Sequence, residues 1–198
     1  YDDKLKGKQY IVHYGSLKYL KGTHIVAELA KTLLKKYQDL YIVLAGRSES
    51  LYDEAGNEIE AYELVKKNAG EYADRVIYVG RLVREQLYPI VQNAELCLLP
   101  SRIENLSNAC IEAMAMGKIV VATNGASYEQ LIENRVSGFL CERDNKASFL
   151  QGINEAMALS LEERQRICAN AASVTRRLGP DKIYEQYMSF YRKVIREW

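Results

Sequence analysis

Hydrophobic residues recur along the chain at two spacings that alternate from segment to segment. Runs of about four to eight apolar residues are typical of buried strands, and apolar residues three and four apart are typical of helices. The runs predict strands at 9–14, 40–45, 75–79, 96–99, 119–122 and 137–141. Helices are predicted between them at 23–36, 59–68, 84–92 and 128–133, with another capped by Asn105 or Ser107. This alternation predicts an α/β fold, a Rossmann-like parallel sheet of about six strands flanked by helices.

The end of the chain follows a different pattern. After residue 145 the apolar spacing is helical throughout, which predicts a C-terminal helical tail of three helices at 146–159, 161–178 and 181–196. The last helix is rich in aromatic residues: Tyr184, Tyr187, Phe190, Tyr191 and Trp198. Two interpretations stay open, because this helix could pack on its own domain or could meet a second domain outside this sequence.

Composition narrows the class of protein. The chain has 198 residues, with 27 basic against 26 acidic side chains, so its charge gives no general attraction to nucleic acid. No apolar run approaches the roughly 18 residues of a membrane span, and no signal peptide opens the chain, which predicts a cytoplasmic protein. Four scattered cysteines predict buried reduced thiols: Cys97, Cys110, Cys141 and Cys168.

The first eight residues lack an initiator methionine and lead directly into the first strand. We interpret residues 1–8 as a linker from a missing N-terminal domain, and residues 9–198 as one ligand-binding domain.

Ligands of open parallel α/β sheets bind beyond the carboxyl ends of the strands, so the loops that follow the strands are the places to examine. Glu104 and Glu112 are separated there by seven intervening residues, the first in a loop and the second about two turns into the next helix. The helix N-terminus presents free N–H groups and a positive dipole end to the same space. Hydroxyls and phosphates together suit such a site, which indicates a nucleotide sugar. His13 lies in a core strand and is interpreted as structural.

Several further motifs fall in order along the chain. Pro100-Ser101 and Glu104 precede Glu112-Ala113-Met114-Ala115-Met116-Gly117. They are followed by Gly125-Ala126 with Glu129, and by Gly138-Phe139-Leu140; upstream stand Gly15, Leu17, Lys21 and Gly22. With this order the chain resembles the carboxyl-terminal, donor-binding half of a GT-B glycosyltransferase of the retaining family 4, also called glycosyl transferases group 1.

The resemblance implies a role for each matching residue. Lys21 would hold the donor diphosphate, Glu104 would face the transferred sugar and the reaction centre, and Glu112 would accept the ribose hydroxyls. Backbone N–H groups would bind the sugar and the distal phosphate at Asn105, Leu106, Ser107, Asn108 and Ala109. Gly15 and Ser16 form the first loop of the donor site, and Gly80, Arg81 and Leu82 would hold the nucleobase.

Two departures from the family pattern concern the donor. Ser16 replaces the usual arginine and removes one of two cations on the diphosphate, a loss for which Lys18 or Arg81 could compensate. Asn105-Leu106-Ser107 stands where Gly-Phe-Gly is usual.

The implied activity is retaining transfer of a sugar from a UDP-, GDP- or ADP-sugar to an acceptor hydroxyl, with no metal and no further cofactor. The resemblance places it in cell-envelope or capsular polysaccharide synthesis, with possible peripheral membrane association of the full-length enzyme. This fragment alone is expected to be inactive, since the acceptor residues of the fold lie on the missing N-terminal domain.

The alternatives are a non-catalytic nucleotide-sugar-binding or scaffold module and a GT-B nucleotide-sugar 2-epimerase. Having only two histidines disfavours the epimerase.

Overall fold

The computed structural model describes residues 2–197, so Trp198 of the aromatic set and Tyr1 of the expected linker lie outside the described residues. The strands are β1 Gln9–Tyr14, β2 Leu40–Ala45, β3 Ser50–Tyr52, β4 Glu58–Glu60, β5 Val76–Gly80, β6 Leu96–Leu99, β7 Val120–Thr123 and β8 Phe139–Cys141. The helices are α1 Asp2–Leu5, α2 Thr23–Lys36, α3 Ala61–Ala69, α4 Arg84–Asn93, α5 Asn108–Ala115, α6 Lys146–Met157, α7 Leu161–Arg176 and α8 Pro180–Glu197.

The main sheet has six strands in the order β5-β2-β1-β6-β7-β8, and every neighbouring pair in it is parallel. The chain builds outward from β1 on one side and then returns to β6 to build outward on the other. Connections after β1 and after β6 therefore diverge, which opens a crevice at the carboxyl ends of these two strands. The predicted Rossmann-like sheet is confirmed, and its order places a ligand crevice between β1 and β6.

Both faces of the sheet are buried. Alternate residues such as Ile11, Ile42 and Leu98 pack in one core cluster with residues of α2, α3 and α6. Their neighbours, such as Val12 and Val43, pack in a second cluster with residues of α4, α5 and α7. Burial on both faces explains why the strands read as continuous apolar runs rather than as alternating ones. All four cysteines are free thiols, and Cys168 is the one that is only half-buried.

Two of the predicted helices differ in the structure. The antiparallel hairpin β3–β4 precedes α3, so the helix predicted at 59–68 begins later, at Ala61. Its turn forms because an Asp53 carboxylate oxygen accepts the N–H groups of Ala55 at 2.9 Å and Asn57 at 2.8 Å. The helix predicted at 128–133 is reduced to the single 3-10 turn Tyr128–Gln130.

Both ends of the described chain are helical. Residues 2–5 form the short helix α1, and Leu5 is buried in the second core cluster. The interpretation of the last helix as packed on its own domain is wrong, because α8 has no buried residue. Its aromatic side chains are 53 to 65 % exposed at Tyr184, Tyr187, Phe190 and Tyr191. The preceding helix α7, by contrast, buries Ile167 and Ala171 and packs against α5.

A search of the described helices found no segment that is both long enough and apolar enough to cross a bilayer.

Candidate functional site

Two adjoining cavities open at the carboxyl ends of the central strands. The smaller, of about 240 Å³, is lined by the loops after β1 and β6 and by the start of α5. The larger, of about 490 Å³, is lined by the loops after β1, β2 and β5 and by α5. Tyr14, Gly15 and Ala109 line both cavities, so the two form one continuous cleft. This cleft lies at the crevice that the sheet order creates.

Lys21 and Glu104 meet in the smaller cavity. Lys21 ends a 3-10 turn, and the next residue, Gly22, has a φ of 75°. A Cβ on Gly22 would lie 1.9 Å from the carbonyl oxygen of Pro100, so only glycine allows the two loops to approach so closely. As a result, Lys21 Nζ donates to Glu104 Oε1 at 2.5 Å, and the Glu104 side chain is only 13 % exposed. The two residues with separate implied roles are therefore a direct ion pair.

The hydroxyl groups of Ser101 and Tyr128 form a hydrogen-bonded chain that ends at the Glu104 carboxylate. Ser101 Oγ donates to Glu104 Oε1 at 3.1 Å, and the buried Tyr128 hydroxyl donates to Ser101 Oγ at 3.1 Å. Burial raises the pKa of Tyr128, so its hydroxyl stays protonated and acts as a donor. The sequence-based reasoning missed Tyr128 as a site residue; an aromatic residue directly after the Gly125 turn was its only signal.

His13 lines the same cavity, and both of its ring nitrogens are occupied. Nδ1 lies 2.9 Å from the carbonyl oxygen of Leu98, which can only accept, so Nδ1 carries the proton. Nε2 then accepts from Thr23 Oγ1 at 3.1 Å. Burial lowers the pKa of His13 to about 4, which keeps the ring neutral near pH 7. The geometry fits a structural histidine.

The first turn of α5 borders the cleft. Ser107 is the N-cap, since its Oγ accepts the N–H of Cys110 at 3.3 Å; Asn105, the other candidate cap, is exposed and lines neither cavity. Within residues 2–197, the N–H groups of Asn108 and Ala109 have no hydrogen-bond partner. Leu106 lines the smaller cavity and is 49 % exposed. Free N–H groups at a helix start provide an anion-binding position.

Glu112 lies in the larger cavity, in the second turn of α5 rather than two turns in. Its side chain is 24 % exposed. The Tyr88 hydroxyl donates to Oε1 at 3.2 Å, and Arg84 Nε lies 3.8 Å from the same oxygen. Burial raises the pKa of Tyr88, and the Glu112 charge raises it further. No described residue donates to Oε2, which is left to accept from a ligand.

The partners of Glu112 were not predicted from the sequence. Arg84 and Tyr88 stand one helical turn apart on α4, directly after the loop that begins at Gly80. Their i, i+4 spacing was the available signal. Glu112 therefore has protein partners for its charge. Its position among apolar residues in the sequence is not by itself evidence that a ribose binds to it.

The remaining predicted residues divide between the cavity wall and its surroundings. Ser16, Arg81 and Leu82 line the larger cavity, together with Arg47, to which the sequence-based reasoning gave no role. Gly80 lines neither cavity; its carbonyl oxygen accepts the N–H of Gly46 at 2.8 Å and so holds the loops together. Of the two residues considered as a replacement for the cation at position 16, Arg81 lines the larger cavity, whereas Lys18 lies 3.7 Å from Glu49 and lines neither cavity.

The search for metal sites covered the described residues and found no group of three or more His, Cys, Asp or Glu residues placed to hold an ion.

A doubly wound sheet with an ion pair, a helix N-terminus and exposed arginines at its crevice defines a Rossmann-like ligand-binding domain. The chain belongs to the family described as glycosyl transferases group 1, whose sequence model matches residues 2–174. The resemblance based on the motifs is thereby confirmed at the level of the family.

Known proteins similar to this chain agree with that membership. The lipopolysaccharide core biosynthesis mannosyltransferase LpsB of Rhizobium meliloti is 27 % identical over 181 residues, which cover 90 % of this chain and 49 % of that protein. The chain spans about half the length of the curated relatives it matches.

Two solved structures share the fold. Anabaena Alr3699/HepE in complex with UDP-glucose has a TM-score of 0.73 at 21 % identity, covering 97 % of this chain and 50 % of that one. The C-terminal domain of the glycosyl transferase group 1 family protein LpcC from Francisella tularensis has a TM-score of 0.70 at 21 % identity. In that case 88 % of each chain is covered, so the likeness extends over a domain crystallised without the rest of its protein.

Proposed function

We propose that this chain binds a nucleoside-diphosphate sugar in the cleft and, together with an N-terminal half, transfers the sugar to an acceptor hydroxyl with retention at the anomeric carbon. The arrangement of the cleft carries the proposal. A carboxylate with one oxygen free for a diol lies in the larger cavity, and a cation beside a helix N-terminus lies in the adjoining smaller one. A nucleotide sugar presents a ribose diol, a diphosphate and a sugar in that same order.

The nucleoside belongs in the larger cavity. Glu112 accepts the two ribose hydroxyls, because a carboxylate offers paired acceptors and an ionised acceptor strengthens each bond. Leu82 and the loop that begins at Gly80 border the place of the base. A structural neighbour supports a nucleotide ligand, since Anabaena HepE was crystallised with UDP-glucose.

The sugar and the distal phosphate belong in the smaller cavity. When the bond to the sugar breaks, negative charge develops on the leaving diphosphate. Lys21 and the unpartnered N–H groups of Asn108 and Ala109 stabilise that charge, so this chain supplies the electrostatic stabilisation without a metal ion. Glu104 contacts the transferred sugar, held in place by Ser101.

The acceptor side of the reaction requires a second half. The chain spans about half the length of its curated relatives, and the aromatic side chains of α8 are exposed on this domain. We infer that an N-terminal domain packs there and completes the cleft, so this chain alone transfers little or no sugar. LpsB, a lipopolysaccharide core enzyme, supports a pathway that builds cell-envelope polysaccharide.

Calorimetric titration of this chain with UDP, GDP and ADP tests the donor site. We expect one of the three to bind and Glu112→Ala to weaken it about a hundredfold, because two hydrogen bonds to an ionised acceptor are lost. Glu133→Ala is the matched control, since Glu133 is exposed and lines neither cavity. Failure of all three nucleotides to bind, or an unchanged affinity in Glu112→Ala, would overturn the proposal. The first result would favour a non-catalytic scaffold module.

A further inference from the structure

The charge balance of the cleft leaves part of a diphosphate unmatched. Lys21 is the cation of the smaller cavity, but Glu104 already lies 2.5 Å from its ammonium and neutralises much of its charge. Ser16, at the mouth of the larger cavity, is uncharged. A ligand carrying two or more negative charges therefore requires another cation where the two cavities join.

Two arginines are available for this role. Arg47 and Arg81 both line the larger cavity and are exposed, and within residues 2–197 neither guanidinium has a hydrogen bond or an ion-pair partner. Lys18, the nearby lysine, is paired with Glu49 outside the cavities. A guanidinium suits a phosphate because its planar array of donors matches two phosphate oxygens.

Backbone contacts distinguish the two arginines. Gly46 has a φ of 147°, and a Cβ there would lie 1.5 Å from the carbonyl oxygen of Gly15, so the loops after β1 and β2 are in direct backbone contact. The N–H of Leu17 donates to the carbonyl oxygen of Arg47 at 2.8 Å. The backbone of Arg47 is thus fixed beside Gly15, which lines both cavities, and near Ser16. Arg81 follows β5, one strand farther from β1.

We propose that Arg47 is the second phosphate-binding cation of this cleft, supplied from the loop after β2 in place of a cation at position 16. This assignment rests on the proposed nucleotide-sugar function. Its guanidinium reaches the phosphate next to the ribose, while Lys21 and the start of α5 bind the phosphate next to the sugar.

The test separates phosphate binding from nucleoside binding. The nucleoside diphosphate that binds this chain is titrated beside its parent nucleoside, into the unchanged chain and into Arg47→Ala, Lys18→Ala and Ser16→Arg/Arg47→Ala. Arg47→Ala should weaken the diphosphate about tenfold and leave the nucleoside unchanged, since one charge-assisted contact is lost. Lys18→Ala, a lysine removed from the same stretch but outside the cavities, should change neither ligand. The double variant should recover most of the loss.

The outcomes identify which claim fails. If the diphosphate binds, Glu112→Ala weakens it and Arg47→Ala does not, the assignment of Arg47 is overturned and the donor site stands. Equal loss of nucleoside and diphosphate in Arg47→Ala would also overturn it, because that pattern indicates a disturbed cavity. Absence of any nucleotide binding would overturn both the site and the assignment.

Discussion

The two cavities of the cleft differ in how their polar groups are satisfied. In the smaller one Lys21, Glu104, Ser101 and Tyr128 are joined in one continuous set of hydrogen bonds, and His13 is bonded at both ring nitrogens. In the larger one the guanidinium groups of Arg47 and Arg81 have no partner among the described residues, and none of these residues donates to the second oxygen of Glu112. The smaller cavity is held in its geometry by the protein itself. The larger one presents exposed charged groups that water hydrates and that a ligand can pair.

This difference indicates that the two cavities have different roles. Groups that must stabilise charge during a reaction work best when they are held in place beforehand, because no reorganisation is then needed. Groups that capture a ligand gain most from charges that are not already neutralised. Substitutions in the smaller cavity should therefore lower stability, and equivalent substitutions in the larger one should lower affinity alone.

The largest effect is expected from Gly22→Ala, which forces a Cβ onto the carbonyl oxygen of Pro100. We expect a loss of about 4 kcal/mol in the free energy of unfolding, measured by urea denaturation. Gly56→Ala is the matched control, because its φ is 79° against 75° at Gly22 while nothing lies within 4 Å of its Cβ position. The control should lose only about 1 kcal/mol, the cost of the left-handed backbone. Similar losses in both would mean that close approach does not hold the smaller cavity together.

The next effect concerns His13 and pH. Its pKa is about 4 in the folded chain against an ordinary 6.5, so between these values the unfolded chain binds more protons. Stability should therefore fall as the pH is lowered through this window, by about 2 kcal/mol from pH 7 to pH 5. Urea unfolding at the two pH values measures the difference.

His13→Asn is the control for that titration. The variant removes the group, so its own loss between pH 7 and pH 5 should be smaller by about 2 kcal/mol, whatever its stability at pH 7. His24, whose burial also lowers its pKa, contributes in the same direction to both proteins and cancels in the comparison. If stability depends on pH equally in the two proteins, protonation of the neutral His13, which is hydrogen-bonded at both ring nitrogens, is not the cause of the loss in acid.

Much of the fold could be predicted because apolar spacing reports burial directly. The six strands of the main sheet and the helix α2 lie where their runs predict. The pattern failed where local polar groups decide the structure, as with the Asp53 turn of the β3–β4 hairpin. It also left the partner of α8 open, since the helical spacing is real but none of the α8 residues is buried in this domain. The spacing of apolar residues predicts which face of a helix is apolar, but not which part of the protein that face packs against.

The candidate site shows the same limit. Lys21, Glu104 and Glu112 were predicted from motif and loop position, and all three line the cleft. Their partners were not predicted, because contacts such as Tyr88 with Glu112 join elements 24 residues apart. The sequence also does not show which basic side chains form ion pairs in the folded chain. Lys18 and Arg47 are both basic loop residues, but Lys18 lies near Glu49 and Arg47 lines the larger cavity.

The smallest effect compares one cation from each cavity. Lys21→Met leaves the Glu104 carboxylate, 13 % exposed, with the Ser101 hydroxyl as its one hydrogen-bond partner within residues 2–197, so the free energy of unfolding should fall by about 1 to 2 kcal/mol. Arg47→Ala removes a cation without partners, and its stability should change by less than about 0.5 kcal/mol. Adding Glu104→Gln to Lys21→Met should recover part of the loss, because a neutral amide needs no cation. Equal losses of unfolding free energy in Lys21→Met and Arg47→Ala would contradict the proposed difference between the cavities. In that difference, hydrogen bonds within the protein hold the smaller cavity, and the charges of the larger one are available to a ligand.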